Sequence, residues 1–225
     1  DPIHVSALSP QPRPRANGLS GHELDARVTG IVLIDGIRVA DPASTWCQLA
    51  GMVGIPELVA VADAIIMPLA GADPLVTLEE LNEAVEIRKG HRGASQLRTA
   101  LDLVRPGSRN RVESVLRVLL QYADLPTPEL HVDVVDSEGS WHTDIALAFP
   151  KYKVGVDVLF EADRPYRVRS AELERLARLD DLEWRMLSLS DADVHPSRQY
   201  EFRQKLLSLQ HLLRQQGWLP GRSAA

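Results

Sequence analysis

Residues 141–160 read WHTDIALAFPKYKVGVDVLF, and the fold turns on how this stretch is parsed. It contains two short apolar runs, Asp144-Ile145-Ala146-Leu147-Ala148-Phe149 and Val154-Gly155-Val156-Asp157-Val158-Leu159-Phe160, separated by Pro150-Lys151-Tyr152-Lys153. β-branched and apolar runs of this length, bounded by Pro and Lys, predict two strands of a hairpin buried on at least one face. Each run carries one aspartate. Burying an unpaired carboxylate costs several kcal/mol, so Asp144 and Asp157 should be paired with a cation, share a metal, or sit at strand ends.

Acids on adjacent strands with lysines close by are how a divalent-metal phosphodiesterase site is commonly built. Hard oxygen ligands hold Mg²⁺ beside a phosphate, and a cation offsets charge that develops in the transition state. The alternative is that both aspartates lie at strand ends, salt-bridged to Lys151 or Lys153.

The flanking segments extend the pattern. Ser108-Arg109-Asn110-Arg111-Val112-Glu113-Ser114 opens a helix, Leu125-Pro126-Thr127-Pro128 follows it, and after the hairpin comes Glu172-Leu173-Glu174-Arg175. In this order, over roughly residues 106–215, the segments resemble the very-short-patch-repair-like endonuclease domain found at the C-terminus of many actinobacterial proteins, a branch of the PD-(D/E)xK nuclease superfamily. The resemblance matches Glu113 to the family's helix glutamate and Asp144 to its first strand aspartate. Asp157 stands where the family usually has Glu, in a run typically reading Val-Glu-Tyr-Asp-Gly with a His shortly after. Here Leu159 replaces the second acid, Phe160 the glycine, and Asp163 lies near the expected His. Trp184 matches the Trp of a later Gly-Trp pair, with Glu183 in place of the glycine. The resemblance implies a nuclease fold with a weakened or lost active site. If active, Asp144 and Asp157 would hold Mg²⁺, Glu113 would complete or orient the shell, and Lys153 or Lys151 would assist the attacking water.

A chain of 225 residues with 44% apolar content is long enough for one large domain or two small ones. Net charge is -6, so any contact with DNA must come from a local basic face. Residues 1–105 hold 9 Lys/Arg against 13 Asp/Glu and residues 106–225 hold 16 against 18, so neither half is basic. The single Cys47 cannot form an internal disulfide, and its helical setting reads as a core thiol. No apolar run approaches the roughly 18 residues that span a bilayer, and no signal peptide is visible, which gives the expectation of a cytoplasmic protein without a membrane partner. A chain opening at Asp1 inside a strand, Ile3 to Leu8, adds the expectation of an upstream segment.

Along the first half, residues 9–21, SPQPRPRANGLSG, form a Pro-rich loop in which Arg13 and Arg15 either touch phosphate or are solvated. Val28 to Val39 is a predicted hairpin turning at Asp35-Gly36. Helices follow: one capped by Asp41 or Ser44, one from Pro56 to Met67, one opened by a capping box at Thr77-Leu78-Glu79-Glu80, and one from Gly93 to Val104. The hairpin ending in Gly-Ile-Arg-Val, then Asp-Pro-Ala-Ser-Thr and Leu-Val-Ala-Val-Ala-Asp-Ala-Ile, resembles the middle region of abortive-infection type IV antitoxin-like regulators. That resemblance implies a DNA-binding regulator with a possible cognate toxin as partner.

Pro106-Gly107 is the expected boundary, with Ser108 capping a helix from Arg109 to Ala123 whose apolar face is Val112, Val115, Leu116, Leu119 and Leu120. After the hairpin, Arg164, Arg167 and Arg175 accompany Glu172 and Glu174 and are either solvated ion pairs or phosphate contacts. Trp184 to Leu189 is a predicted core strand, and Ser197 to Gln215 a helix with Phe202, Leu206, Leu209 and Leu213 in its packing stripe. His131, His142, His195 and His211 show no metal-ligand spacing, so zinc is not expected. The expected architecture is α/β (α+β): residues 1–105 a smaller hairpin-plus-helices region, and residues 106–225 a restriction-endonuclease-like mixed sheet flanked by helices. The expected function is a nuclease-fold protein acting on DNA with a degenerate Mg²⁺ site. The rival is a non-catalytic DNA-binding or antitoxin-type regulator using that fold as scaffold.

Overall fold

The two runs of residues 141–160 do pair. A computed structural model describes residues 2–68, 72–159 and 166–220 of the chain. Contacts divide the chain into two compact units, residues 1–102 and 103–225, a division just before the expected Pro106-Gly107 boundary.

In the first unit, β1 (Ile3–Leu8) and β2 (Leu19–Leu24) pair in parallel, with Ile3 opposite Leu19 and Leu8 opposite Leu24. The chain between them is short for a parallel crossover, and it folds back over the pair. The Pro14 carbonyl oxygen lies where a Cβ on residue 21 would stand, so the approach requires Gly21. β3 (Ile31–Ile34) and β4 (Ile37–Ala40) form an antiparallel hairpin. Asp35 and Gly36 both take positive φ, 51° and 78°, as a tight two-residue turn of matching twist requires.

Asp41 caps α1 (Pro42–Leu49) by accepting from the Ser44 amide at 2.6 Å, with Pro42 opening the helix. The Trp46 indole N–H donates to the Leu58 carbonyl of α2 (Ile55–Ile66) at 2.8 Å, tying the two helices through a buried hydrogen bond. Thr77 and Glu80 exchange both hydrogen bonds of a capping box at the start of α3 (Leu78–Ile87), and α4 (Ala94–Leu103) follows. Cys47 is buried, and burial pushes its thiol up to about 11, which fits a core residue and not a nucleophile.

In the second unit, Asn110 caps α5 (Arg111–Tyr122), where Ser108 was expected to do so. The expected stripe is only part of what α5 buries: Glu113, Ser114 and Arg117 are buried beside Val112, Val115, Leu116, Val118 and Leu120, because the helix is enclosed on several sides. A four-stranded mixed sheet follows in the order β5 (Glu129–Val135), β6 (His142–Phe149), β7 (Val154–Leu159), β8 (Arg185–Ser190). β6 is antiparallel to both β5 and β7, and β8 is parallel to β7. Parallel β8 requires a crossover after β7, which α6 (Tyr166–Asp181) provides; α7 (Gln199–Gln215) closes the unit and packs on β8. Val134, Ile145 and Ala148 of the sheet pack with Leu179 of α6 and Trp184 into a buried core. The chain is thus mixed α/β, as expected. Among the described residues, no helix is long and apolar enough to cross a membrane.

Candidate functional site

The β6–β7 ladder is short. It comprises Phe149↔Val154, Ala148↔Gly155 and Leu147↔Val156, so the segment Asp144 to Ala146 runs on without a partner on β7. A main-chain carbonyl left unpaired inside a fold needs another donor. Arg175 of α6 supplies it: Nη2 donates to the Asp144 carbonyl oxygen at 2.9 Å, and Nε donates to Thr143 Oγ1 at 2.8 Å. The same guanidinium grips Asp157 on β7 with two bonds, Nη1 to Oδ2 at 2.6 Å and Nη2 to Oδ1 at 3.0 Å, and Nη1 also reaches Glu172 Oε1 at 3.2 Å. A guanidinium has five N–H donors, and these contacts engage all three of its nitrogens. Arg175 is a wedge in the fork of the sheet.

Beside it lies a second set of contacts. Glu113 accepts from the Arg109 amide through Oε2 at 2.7 Å and from Asn110 Nδ2 through Oε1 at 2.6 Å, while its own amide donates to Asn110 Oδ1 at 3.0 Å. Asn110-Arg111-Val112-Glu113 is therefore a variant capping box, which by itself accounts for a glutamate in the first turn of α5. The His131 ring sits between two carboxylates, with Nε2 2.9 Å from Glu113 Oε2 and Nδ1 3.0 Å from Asp144 Oδ2. For both contacts to be hydrogen bonds to carboxylates, each ring nitrogen must carry a proton. Arg109 Nη1 donates to the same Asp144 oxygen at 2.8 Å. The His131 hydrogen bond, the largest influence, holds Asp144 below its ordinary carboxylate pKa; desolvation pushes the other way, and the charges and hydrogen bond of Arg109 and His131 add to the lowering.

Glu113, Asp144 and Asp157 thus line one open cavity of about 260 Å³, together with Arg109, His131 and Arg175. Lys153 is not brought to it. It sits at the start of β7 with φ 48°, roughly 13 Å along the strand from Asp157 by the usual rise per residue, and its Nζ pairs with Glu183 Oε2 at 2.7 Å. Lys151 Nζ lies over the Tyr152 ring, 5.7 Å from its centroid. Phe160, Asp163 and Arg164 lie outside the described residues; Leu159 ends β7 and Arg167 falls in the first turn of α6.

His131 joins the site although it lacks metal-ligand spacing in the sequence, because a histidine held between two acids obeys no such spacing. The alternation Leu130-His131-Val132-Asp133-Val134 would have marked the strand and the side chain's exposure to one face. Its φ of 50° inside a strand is a conformation of the kind that costs about 1–3 kcal/mol and persists where surroundings over-determine it.

The arrangement does not fit a divalent cation. Both oxygens of Glu113, both of Asp157 and Oδ2 of Asp144 face donors, several of them cationic, leaving Asp144 Oδ1 free of a donor among the described residues. Among the described residues, no group of three His, Cys, Asp or Glu side chains is placed to hold a metal ion. No protein-family model, curated protein or solved structure matches the chain.

Proposed function

We propose that residues 103–225 form a restriction-endonuclease-like domain whose metal site has become an internal ion-pair network, and that the chain acts on DNA as a non-catalytic, antitoxin-type regulator. The observation that carries this reading is the two-bond grip of Arg175 on Asp157, with the arginine 19% and the aspartate 9% exposed. A guanidinium at hydrogen-bond distance from both oxygens of a ligand carboxylate repels Mg²⁺ and removes the ligand at once. The position of Asp157, one strand over from Asp144, and the strand-helix-strand crossover after it support the fold assignment. The DNA partner and the cognate toxin rest on the two resemblances in sequence.

Convergence of Glu113, Asp144 and Asp157 on one cavity favours a second reading, a Mg²⁺-dependent DNA endonuclease in which Arg175 gives way to metal. A plasmid-nicking assay in Mg²⁺ or Mn²⁺ separates the two. The regulator reading expects no nicking above background from wild type or Asp144→Ala; nicking by wild type that Asp144→Ala abolishes establishes the enzyme.

A further inference from the structure

In the first unit, the segment between β1 and β2 arches over the strand pair, and the Arg13 to Asn17 stretch with Leu19 and Gly21 of β2 encloses an open cavity of about 610 Å³. Its lining contains two guanidinium groups, Arg13 and Arg15, and the Asn17 amide, and no carboxylate. Both arginines are exposed, and among the described residues neither has an acid within salt-bridge distance. This sets them apart from Arg109 and Arg175, whose charge is already met by Asp144 and Asp157.

The backbone around them is fixed in advance. Pro12 and Pro14 restrict φ at their own positions and push Gln11 and Arg13 to extended conformations. At the far end, Gly18 with φ 79° closes a turn in which the Leu19 amide donates to the Ala16 carbonyl at 3.2 Å. In the middle, the close approach of Pro14 to Gly21 seats the arch on β2. A rigid backbone that presents two unpaired guanidinium groups from one arch loses little entropy on meeting an extended anion. Guanidinium forks match phosphate oxygens, and an amide beside them donates as well.

We propose that the Arg13–Asn17 arch is a contact site for the phosphodiester backbone of a nucleic acid. The assignment rests on the reading of the chain as a nucleic-acid binder and supplies a place of contact that the ion-paired cavity of the second unit does not. Phosphate contact carries no sequence information, so the arch sets affinity and salt dependence and leaves specificity to other groups.

The test is fluorescence anisotropy of a labelled DNA duplex and a labelled RNA duplex of the same mixed sequence, titrated with the full chain across a salt series. Arg13→Gln/Arg15→Gln is compared with the wild type and with Arg92→Gln/Arg98→Gln, which removes the same charge at exposed positions elsewhere in the unit. Loss of two phosphate contacts is expected to weaken binding of at least one probe roughly tenfold and to lower the slope of log K against log salt by about 1.8, with the control pair near wild type. Wild-type binding with an unchanged slope in Arg13→Gln/Arg15→Gln overturns the arch alone, as does an equal loss in the control pair. Absence of binding by the wild type to either probe overturns the arch together with the nucleic-acid reading.

Discussion

Arg175 neutralises Asp157 and pins the stretch of β6 that β7 leaves unpaired, with its donors shared among Asp157, Glu172, Thr143 and the Asp144 carbonyl. Breaking a buried pair by removing one partner leaves an uncompensated charge, so Arg175→Ala should cost about 3–5 kcal/mol in denaturant unfolding of the second unit. Replacing both partners, Arg175→Met with Asp157→Leu, should recover most of that loss, because the cost lies in the stranded carboxylate. A single-mutant cost under about 1 kcal/mol would show the pair to be ornamental. Asp144 makes a pH-dependent contribution of definite sign. Its pKa is lowered from 3.8 in the folded chain, so its contribution is fully present above that value and is lost as pH falls through the lower, folded value. Wild type should therefore exceed Asp144→Asn in stability at neutral pH and converge on it in acid, read by urea midpoints at each pH. Divergence on acidification would contradict the assigned partners.

At the scale of elements, the N-terminus of α5 shows how one glutamate can carry two explanations. Glu113 is the third helical residue after an Asn cap, a position from which a glutamate reaches back to the start of the helix, here to the Arg109 amide and the Asn110 side chain. Asn110→Ala should cost about 1 kcal/mol through loss of the cap, whereas Asn110→Ser keeps a cap acceptor and should cost only a few tenths. Equal losses would mean that the Nδ2 contact to Glu113, not the cap, holds the turn. Much at this scale was readable in advance: the Asp35-Gly36 turn, the Thr77-Glu80 capping box, the Pro42 helix start and the two strands of residues 141–160 all follow from local chemistry. The cap of α5 was misplaced by two residues, at Ser108 instead of Asn110, because both are good cap residues and only the packed helix decides. β5 is less legible, because its short alternating run follows directly on Pro126 and Pro128, which read as a loop. The sites were less legible than the elements. Convergence of Glu113, Asp144 and Asp157 depends on α5 packing against β6 and on β6 pairing with β7, and the partner of Asp157 lies on α6, 18 residues further along the chain. No spacing rule links a strand aspartate to a helix arginine at that distance.

For the whole molecule, two compact units present cations in opposite states. In residues 103–225 the arginines of the cavity are ion-paired, and in residues 1–102 the arch arginines have no acid partner among the described residues. With a net charge of -6, contact with a polyanion has to be local, and strongly dependent on salt. Lys153, expected beside the acids, is held by Glu183 at the other end of β7, so no described lysine is placed to assist an attacking water at the cavity. The central proposal is that a guanidinium stands where a metal-dependent nuclease of the proposed fold would place its cation. Isothermal titration of Mn²⁺ into the wild-type chain tests it most directly, with Asp157→Asn as the reference. The expected result is no saturable binding at millimolar Mn²⁺ in either protein; stoichiometric binding to the wild type that Asp157→Asn abolishes would contradict it.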